Sequence, residues 1–149
     1  MGIVLVGLGL GLRSHYKLAI VSGSSMLPTL TSRDVLVIDK QAYEQSDPGR
    51  GDIVVARGSD HLIVKRVVGL PGEEVEVRRG RLYVNGALIK ESHKTFPGYL
   101  DVAKGKLLPG DFATLGDNRS VAPDSAVHPI VTKADILGKV VLALGKQVM

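Results

Sequence analysis

Along this chain, short apolar runs alternate with clusters of glycine, proline and polar residues, a pattern that predicts many short strands joined by turns. Residues 17–21 (KLAIV) run into a turn forced by Gly23 and Pro28, and residues 35–38 (VLVI) are a short β-branched run. Residues 53–55 follow the turn PGRGD, and a longer run at 62–68 stops at Gly69-Leu70-Pro71-Gly72. Residues 75–77 and 81–84 flank Arg79-Gly80 and predict a hairpin. Asn85-Gly86 then turns the chain into 87–89, the strongest hairpin signal present. Residues 90–106 read as polar and irregular, 112–115 (FATL) lead into Gly116-Asp117-Asn118-Arg119, and 136–144 form a last apolar run. Only 132–137 (TKADIL) offers a helical turn. The expected fold is all-β, a barrel- or sandwich-like core of many short strands with a small β-hairpin insertion. Residues 15–72 and 108–149 would form the core, and 73–107 the inserted subdomain.

The first fourteen residues follow a different pattern. Residues 2–12 (GIVLVGLGLGL) carry no charge and close at Arg13. As a helix they would extend about 16 Å, against a hydrocarbon core of ~30 Å, so the run cannot cross a bilayer alone. It lacks a positive n-region and a following small-x-small site, and four glycines weaken it as a soluble helix. Two readings stand for residues 1–14: the remnant or short form of a membrane anchor, which is favoured, and a first buried strand. Arg13 and Lys17 would face the cytoplasm by the positive-inside tendency.

Composition narrows the chemistry. The 149 residues suffice for one compact domain with its own core. With no cysteine, disulfides, thiolate metal sites and cysteine nucleophiles are excluded. The histidines at 15, 61, 93 and 128 show no metal-ligand spacing, and no phosphate-cradling glycine loop precedes a helix, so neither metal nor organic cofactor is expected. A net charge of +4 suits an anionic membrane surface but lacks the dense basic stripe of a nucleic-acid binder. Two Phe, four Tyr and no Trp also argue against a base-stacking platform.

Three segments carry candidate chemistry. Residues 22–30 (SGSSMLPTL) set three serines on a glycine turn, where a hydroxyl can project and a backbone N–H can stabilise an oxyanion. Most such segments are only turns. Lys65 lies within HLIVKRVV, where strand alternation puts Ile63, Lys65 and Val67 on one face and Leu62, Val64, Arg66 and Val68 on the other. One face should be buried, so either Lys65 or Arg66 approaches the core. Desolvation penalises an ammonium and makes a lysine a usable general base, whereas the bland reading is a snorkelling side chain. Gly116-Asp117-Asn118-Arg119, followed by Asp124-Ser125, is turn chemistry that could also orient the lysine.

In order, these segments resemble the type I signal peptidases, membrane-anchored serine proteases that use a Ser–Lys dyad. Ser25-Met26-Leu27-Pro28-Thr29-Leu30 resembles the family's nucleophile motif, and Val64-Lys65-Arg66-Val67-Val68-Gly69-Leu70-Pro71-Gly72-Glu73 its lysine motif. Gly116-Asp117-Asn118-Arg119 with Asp124-Ser125 resembles the last family box. The resemblance implies Ser25 as nucleophile, Lys65 as general base and the Ser25 N–H as oxyanion donor. Gly23 stands where some members carry an oxyanion hydroxyl. Val21, Met26, Leu30 and Val64 match pocket-lining positions that would select small residues at −1 and −3 of a signal peptide. The implied partners are exported preproteins and a membrane lipid surface, with the catalytic domain on the extracytoplasmic side of the cell membrane.

The last box departs from the family pattern. Ala122 stands where a serine usually bonds the lysine, and Ala126 where an arginine usually pairs with Asp124. That departure keeps a second class of function in view, a non-catalytic homologue that binds extended peptides as an assembly factor. A third reading is a specialised Ser–Lys processing peptidase of a conjugation or pilus system. A self-cleaving repressor would need a DNA-binding module, for which the residues before Ser25 leave no room.

Overall fold

The computed structural model describes residues 3–6, 15–120 and 127–145. Twelve strands and one 3₁₀ turn account for its regular structure, and the expected all-β class is observed. A large antiparallel sheet contains β1 (Ile3–Val6), β2 (Tyr16–Val21), β3 (Val35–Asp39), β4 (Ile53–Arg57) and β5 (Leu62–Gly69). It is completed by β10 (Asp111–Leu115), β11 (Val127–Thr132) and β12 (Ile136–Leu144), in the order β1-β2-β3-β12-β4-β5-β10-β11. A smaller sheet in the order β8-β7-β6-β9 is made by β6 (Glu74–Arg78), β7 (Arg81–Val84), β8 (Ala87–Leu88) and β9 (Val102–Lys106).

Turn chemistry places the hairpins where the sequence puts them. Arg79 and Gly80 take φ of 49° and 75° between β6 and β7, and Asn85 and Gly86 take 51° and 81° between β7 and β8. These left-handed values match the twist of a two-residue hairpin. The nine-residue β12 bridges the large sheet by pairing with β4 through its first half and β3 through its second, with register shifts at both seams. The large sheet coils until β1 approaches β5.

Two features of the packing bear on the sequence reading. Residues 3–6 form β1, as in the strand reading of the apolar N-terminal segment, because Ile3 to Val6 find an antiparallel partner in Val21 to Leu18 of β2. Residues 7–14 lie outside the described residues. In β5 the expectation that only one face is covered does not hold, since Lys65 and Arg66 are both buried, at 4% and 7% exposure. One face of the central sheet is covered by a cluster containing Val21, Met26, Leu30, Leu36, Val55 and Val64. The other is covered by Val54, Ala56, Ile63, Val67, Phe112 and Val131. A third cluster, including Val68, Val75, Val77, Leu82, Val84 and Leu107, joins the small sheet to the large one.

Candidate active site

The serine turn leaves β2 at Val21 and is shaped by Gly23, whose φ of 101° requires the left-handed region. Its internal bonds are short-range: the Leu27 N–H donates to the Ser24 carbonyl at 3.2 Å, and the Thr29 and Leu30 N–H groups donate to the Met26 carbonyl. These bonds turn Met26 and Leu30 inward, both nearly without exposure, while Ser25 stays half-buried. Val21, Met26, Leu30 and Val64 therefore meet in one apolar cluster beside Ser25.

Lys65 arrives from a different element. It lies in the middle of β5, paired with Val54 of β4, and its face-mates Ile63 and Val67 belong to the apolar cluster on that side. Burial pushes its ammonium down from the usual 10.5 to about 8. A lysine so placed has a substantial neutral fraction near neutral pH, which an exposed one lacks.

The segment 116–119 joins the two. Leu115 of β10 pairs with Arg66, so the chain leaves the sheet at Gly116 on the level of Lys65. Gly116 lies against the serine turn so closely that a Cβ there would sit 2.4 Å from the Ser25 carbonyl oxygen. The Asn118 N–H donates to that same carbonyl at 3.0 Å, and its side-chain amide donates to the Ser24 carbonyl at 2.9 Å. Asp117, fully buried, accepts two bonds from Arg66 and one from the Thr29 hydroxyl at 2.5 Å. Arg66 also donates to the Gly51 carbonyl at 2.7 Å. Thus the neighbour of Lys65 and the serine turn are both held by one carboxylate.

Arg119 anchors the segment from beneath. It donates to the Gly116 carbonyl, to the Gly80 carbonyl of the β6–β7 turn, and through two nitrogens to Glu91. His93 Nε2 stands 3.5 Å from Glu91 Oε1 and 3.4 Å from Asp117 Oδ1, and burial lowers its pKa. Asp124 and Ser125, with Ala122 and Ala126, lie outside the described residues. Among the described residues, no group of three or more His, Asp or Glu side chains is placed to hold a metal.

Asn118, Thr29 and Glu91 were not singled out by the sequence for what they do. The signal available was the position of Asp117-Asn118-Arg119 directly after an apolar strand, which marks a loop positioned by a rigid element. Nothing local points to Thr29 or Glu91 as its partners.

The coiled antiparallel sheet, whose serine turn is tied through Asp117 to Arg66, the neighbour of a buried lysine, is that of a small all-β serine peptidase. The chain belongs to the signal peptidase family, peptidase S26, whose sequence model matches residues 2–144. It is 36% identical over 146 residues to a probable signal peptidase I-2 of Synechocystis, covering 92% of this chain and 67% of that protein. A signal peptidase I of Leptolyngbya laminosa is 35% identical over 148 residues, covering 92% and 73%. A crystal structure of a signal peptidase I from Enterococcus faecalis superposes with a TM-score of 0.52 at 28% identity, covering 64% of this chain and 97% of the other.

Proposed function

We propose that this chain is a membrane-associated serine endopeptidase that removes signal peptides from exported preproteins with a Ser25–Lys65 dyad. The observation that carries the reading is the buried, pKa-lowered Lys65 on a strand tied through Arg66 and Asp117 to the turn bearing Ser25. Ser25 Oγ attacks the scissile carbonyl carbon while its proton passes to the neutral Lys65 Nζ. The Ser25 N–H stabilises the oxyanion. The resulting ammonium returns the proton to the leaving amine, which departs as the new N-terminus and leaves the signal peptide esterified to Ser25. Water, deprotonated by Lys65, then attacks the ester carbonyl, and the Lys65 ammonium returns that proton to the departing Ser25 Oγ, freeing the signal peptide with a new C-terminal carboxyl group. The apolar group Val21, Met26, Leu30 and Val64 favours small side chains at −1 and −3.

The membrane assignment is supported by a row of side chains. Ile20, Val35 and Leu144 stand in register across β2, β3 and β12, and Ile20 and Leu144 are exposed, as are the nearby Val141 and Leu142. Such a patch suits a lipid surface, here the extracytoplasmic face of the cell membrane. No helix among the described residues is long and apolar enough to cross a membrane. The test is cleavage of a preprotein with an Ala-x-Ala site by the wild type, Ser25→Ala and Lys65→Ala, with a serine-directed acylating probe in parallel. Cleavage by the wild type alone, with the probe on Ser25, is expected. Cleavage surviving either substitution removes the dyad, and a wild type that neither cleaves nor labels is a binding factor.

A further inference from the structure

Among the described residues, two buried side-chain polar atoms have no hydrogen bond: His93 Nε2 and Thr114 Oγ1. His93 at least faces two carboxylates, those of Glu91 and Asp117. Thr114, on β10, is 4% exposed, and its hydroxyl is shut off from solvent. Leaving a buried hydroxyl unbonded is costly, and a valine of the same shape would avoid that cost. The hydroxyl at this position therefore asks for a function.

Its face of the sheet supplies one. Phe112 belongs to the cluster of Val54, Ile63 and Val67, whereas Ala113 and Leu115 pack with the small sheet, so strand alternation turns Thr114 toward the Val67 face. Thr114 is also in register with Val67, and Leu115 with Arg66. Lys65 shares the Val67 face, two residues away along β5. Thr114 and Lys65 thus stand diagonally across neighbouring strands, a spacing that a long side chain spans. The irregularity of this ladder falls between Ala113 and Thr114, away from Lys65. Gly116 follows on the level of Lys65, and a Cβ there would lie 3.5 Å from Ser25 Cβ. The lysine stem is therefore flanked along this side by Ser25 and by the Thr114 hydroxyl.

Of the other ionisable groups near this face, Tyr43 donates to Asp52, which stands 3.5 Å from Lys139. Arg66 turns to the opposite face, where Asp117 holds it. His128 of β11 is the register partner of Thr114 on its other side.

We propose that Thr114 is a positioning residue for Lys65, its hydroxyl oxygen accepting an N–H of the ammonium that forms when Lys65 takes the Ser25 proton. This rests on the reading of Ser25 and Lys65 as a dyad. In the structure the bond is not made; rotation about the flexible four-carbon stem makes it. An ammonium has three donors, so this bond adds to the lysine's other contacts. Beside Val54, Ile63 and Val67 the new charge has little water, and a charge-assisted bond there is strong. The bond also fixes Nζ for the return of the proton to the leaving amine.

The experiment follows cleavage of an Ala-x-Ala preprotein between about pH 5 and 10 by the wild type, T114V and T114S. T114V keeps the shape and removes the hydroxyl. Its plateau kcat should fall about three- to tenfold with KM unchanged. Its kcat/KM midpoint should move about one unit to lower pH, because an ammonium that loses an acceptor gives up its proton more readily. T114S should restore both. An unchanged T114V, or a T114S that behaves like T114V, overturns the proposal. So does a loss of rate with the midpoint unmoved, which marks a packing effect, or a midpoint that rises. The shift should persist in the His128→Gln background; its disappearance there assigns the titration to His128 and overturns the proposal. NMR titration of the Lys65 side-chain resonances in Ser25→Ala, with and without T114V, reads the contact without chemistry. A midpoint lowered by T114V there, with no cleavage by the wild type, sustains the contact and overturns the dyad. An unmoved Lys65 midpoint overturns the role of Thr114.

Discussion

Arg66 grips Asp117 through two parallel hydrogen bonds, Nε to Oδ1 at 2.9 Å and Nη2 to Oδ2 at 2.7 Å, across 51 residues of sequence. Asp117 has no solvent exposure and the Arg66 side chain very little, so neither charge can turn to water if the other is lost. Asp117→Ala should therefore cost about 3–5 kcal/mol of folding stability, the price of stranding a buried guanidinium. Urea unfolding measures it. The double variant Arg66→Met/Asp117→Ala should be more stable than the sum of the two single losses. Strict additivity would show that the pair is not coupled.

Gly116→Ala tests a backbone contact instead of a charge. The added Cβ would lie 2.4 Å from the Ser25 carbonyl oxygen, which the Asn118 N–H holds at 3.0 Å and which cannot yield without moving the serine turn. A displacement of the nucleophile approaching 1 Å costs on the order of 100-fold in rate. The expected loss in kcat/KM is of that order, with about 1–3 kcal/mol of stability lost to overpacking. Gly105→Ala is the control, since its Cβ meets nothing within 4 Å and its backbone is not left-handed. Equal effects at the two positions would show that the Gly116 contact is not special.

How much of this could be read from the chain depended on whether each signal was local. β3 and the two turns Arg79-Gly80 and Asn85-Gly86 are written in consecutive residues, and the structure places them where the pattern does. β9 has no apolar alternation in VAKGK for a sequence pattern to report: Val102 is half-buried and the rest exposed, so pairing with β6 makes it a strand. β11 is interrupted by Pro129, which masks a strand pattern, yet it is the last strand of the large sheet, where a missing N–H is tolerated. The glycine-rich start carries no period at all, and β1 exists because β2 offers an edge. Ser25 and Lys65 stood out through motifs, but the groups that hold them did not. Thr29 meets Asp117 across 88 residues and Arg119 meets Glu91 across 28, and no periodicity reports such pairs.

Lys65 ties stability to activity with opposite signs. Burial pushes its pKa from 10.5 down to about 8, so the native state resists a proton that the unfolded chain accepts. Between about 8 and 10.5 the unfolded chain holds more protons, and stability rises with pH across that window; below about 8 the full penalty is present. Lys65→Met removes the buried ammonium and should raise unfolding stability by about 3 kcal/mol at pH 7, with the gain fading as pH passes the unfolded value. The same lysine must be neutral to accept the Ser25 proton. Wild-type kcat/KM should therefore climb about tenfold per pH unit well below the midpoint, bend near 8 and level above it. Lys65→Met should be inactive throughout. A flat wild-type profile from pH 6 to 9 would remove Lys65 as the titrating base. An unfolding midpoint for Lys65→Met below that of the wild type at pH 7 would show that the ammonium is not a burden on the fold.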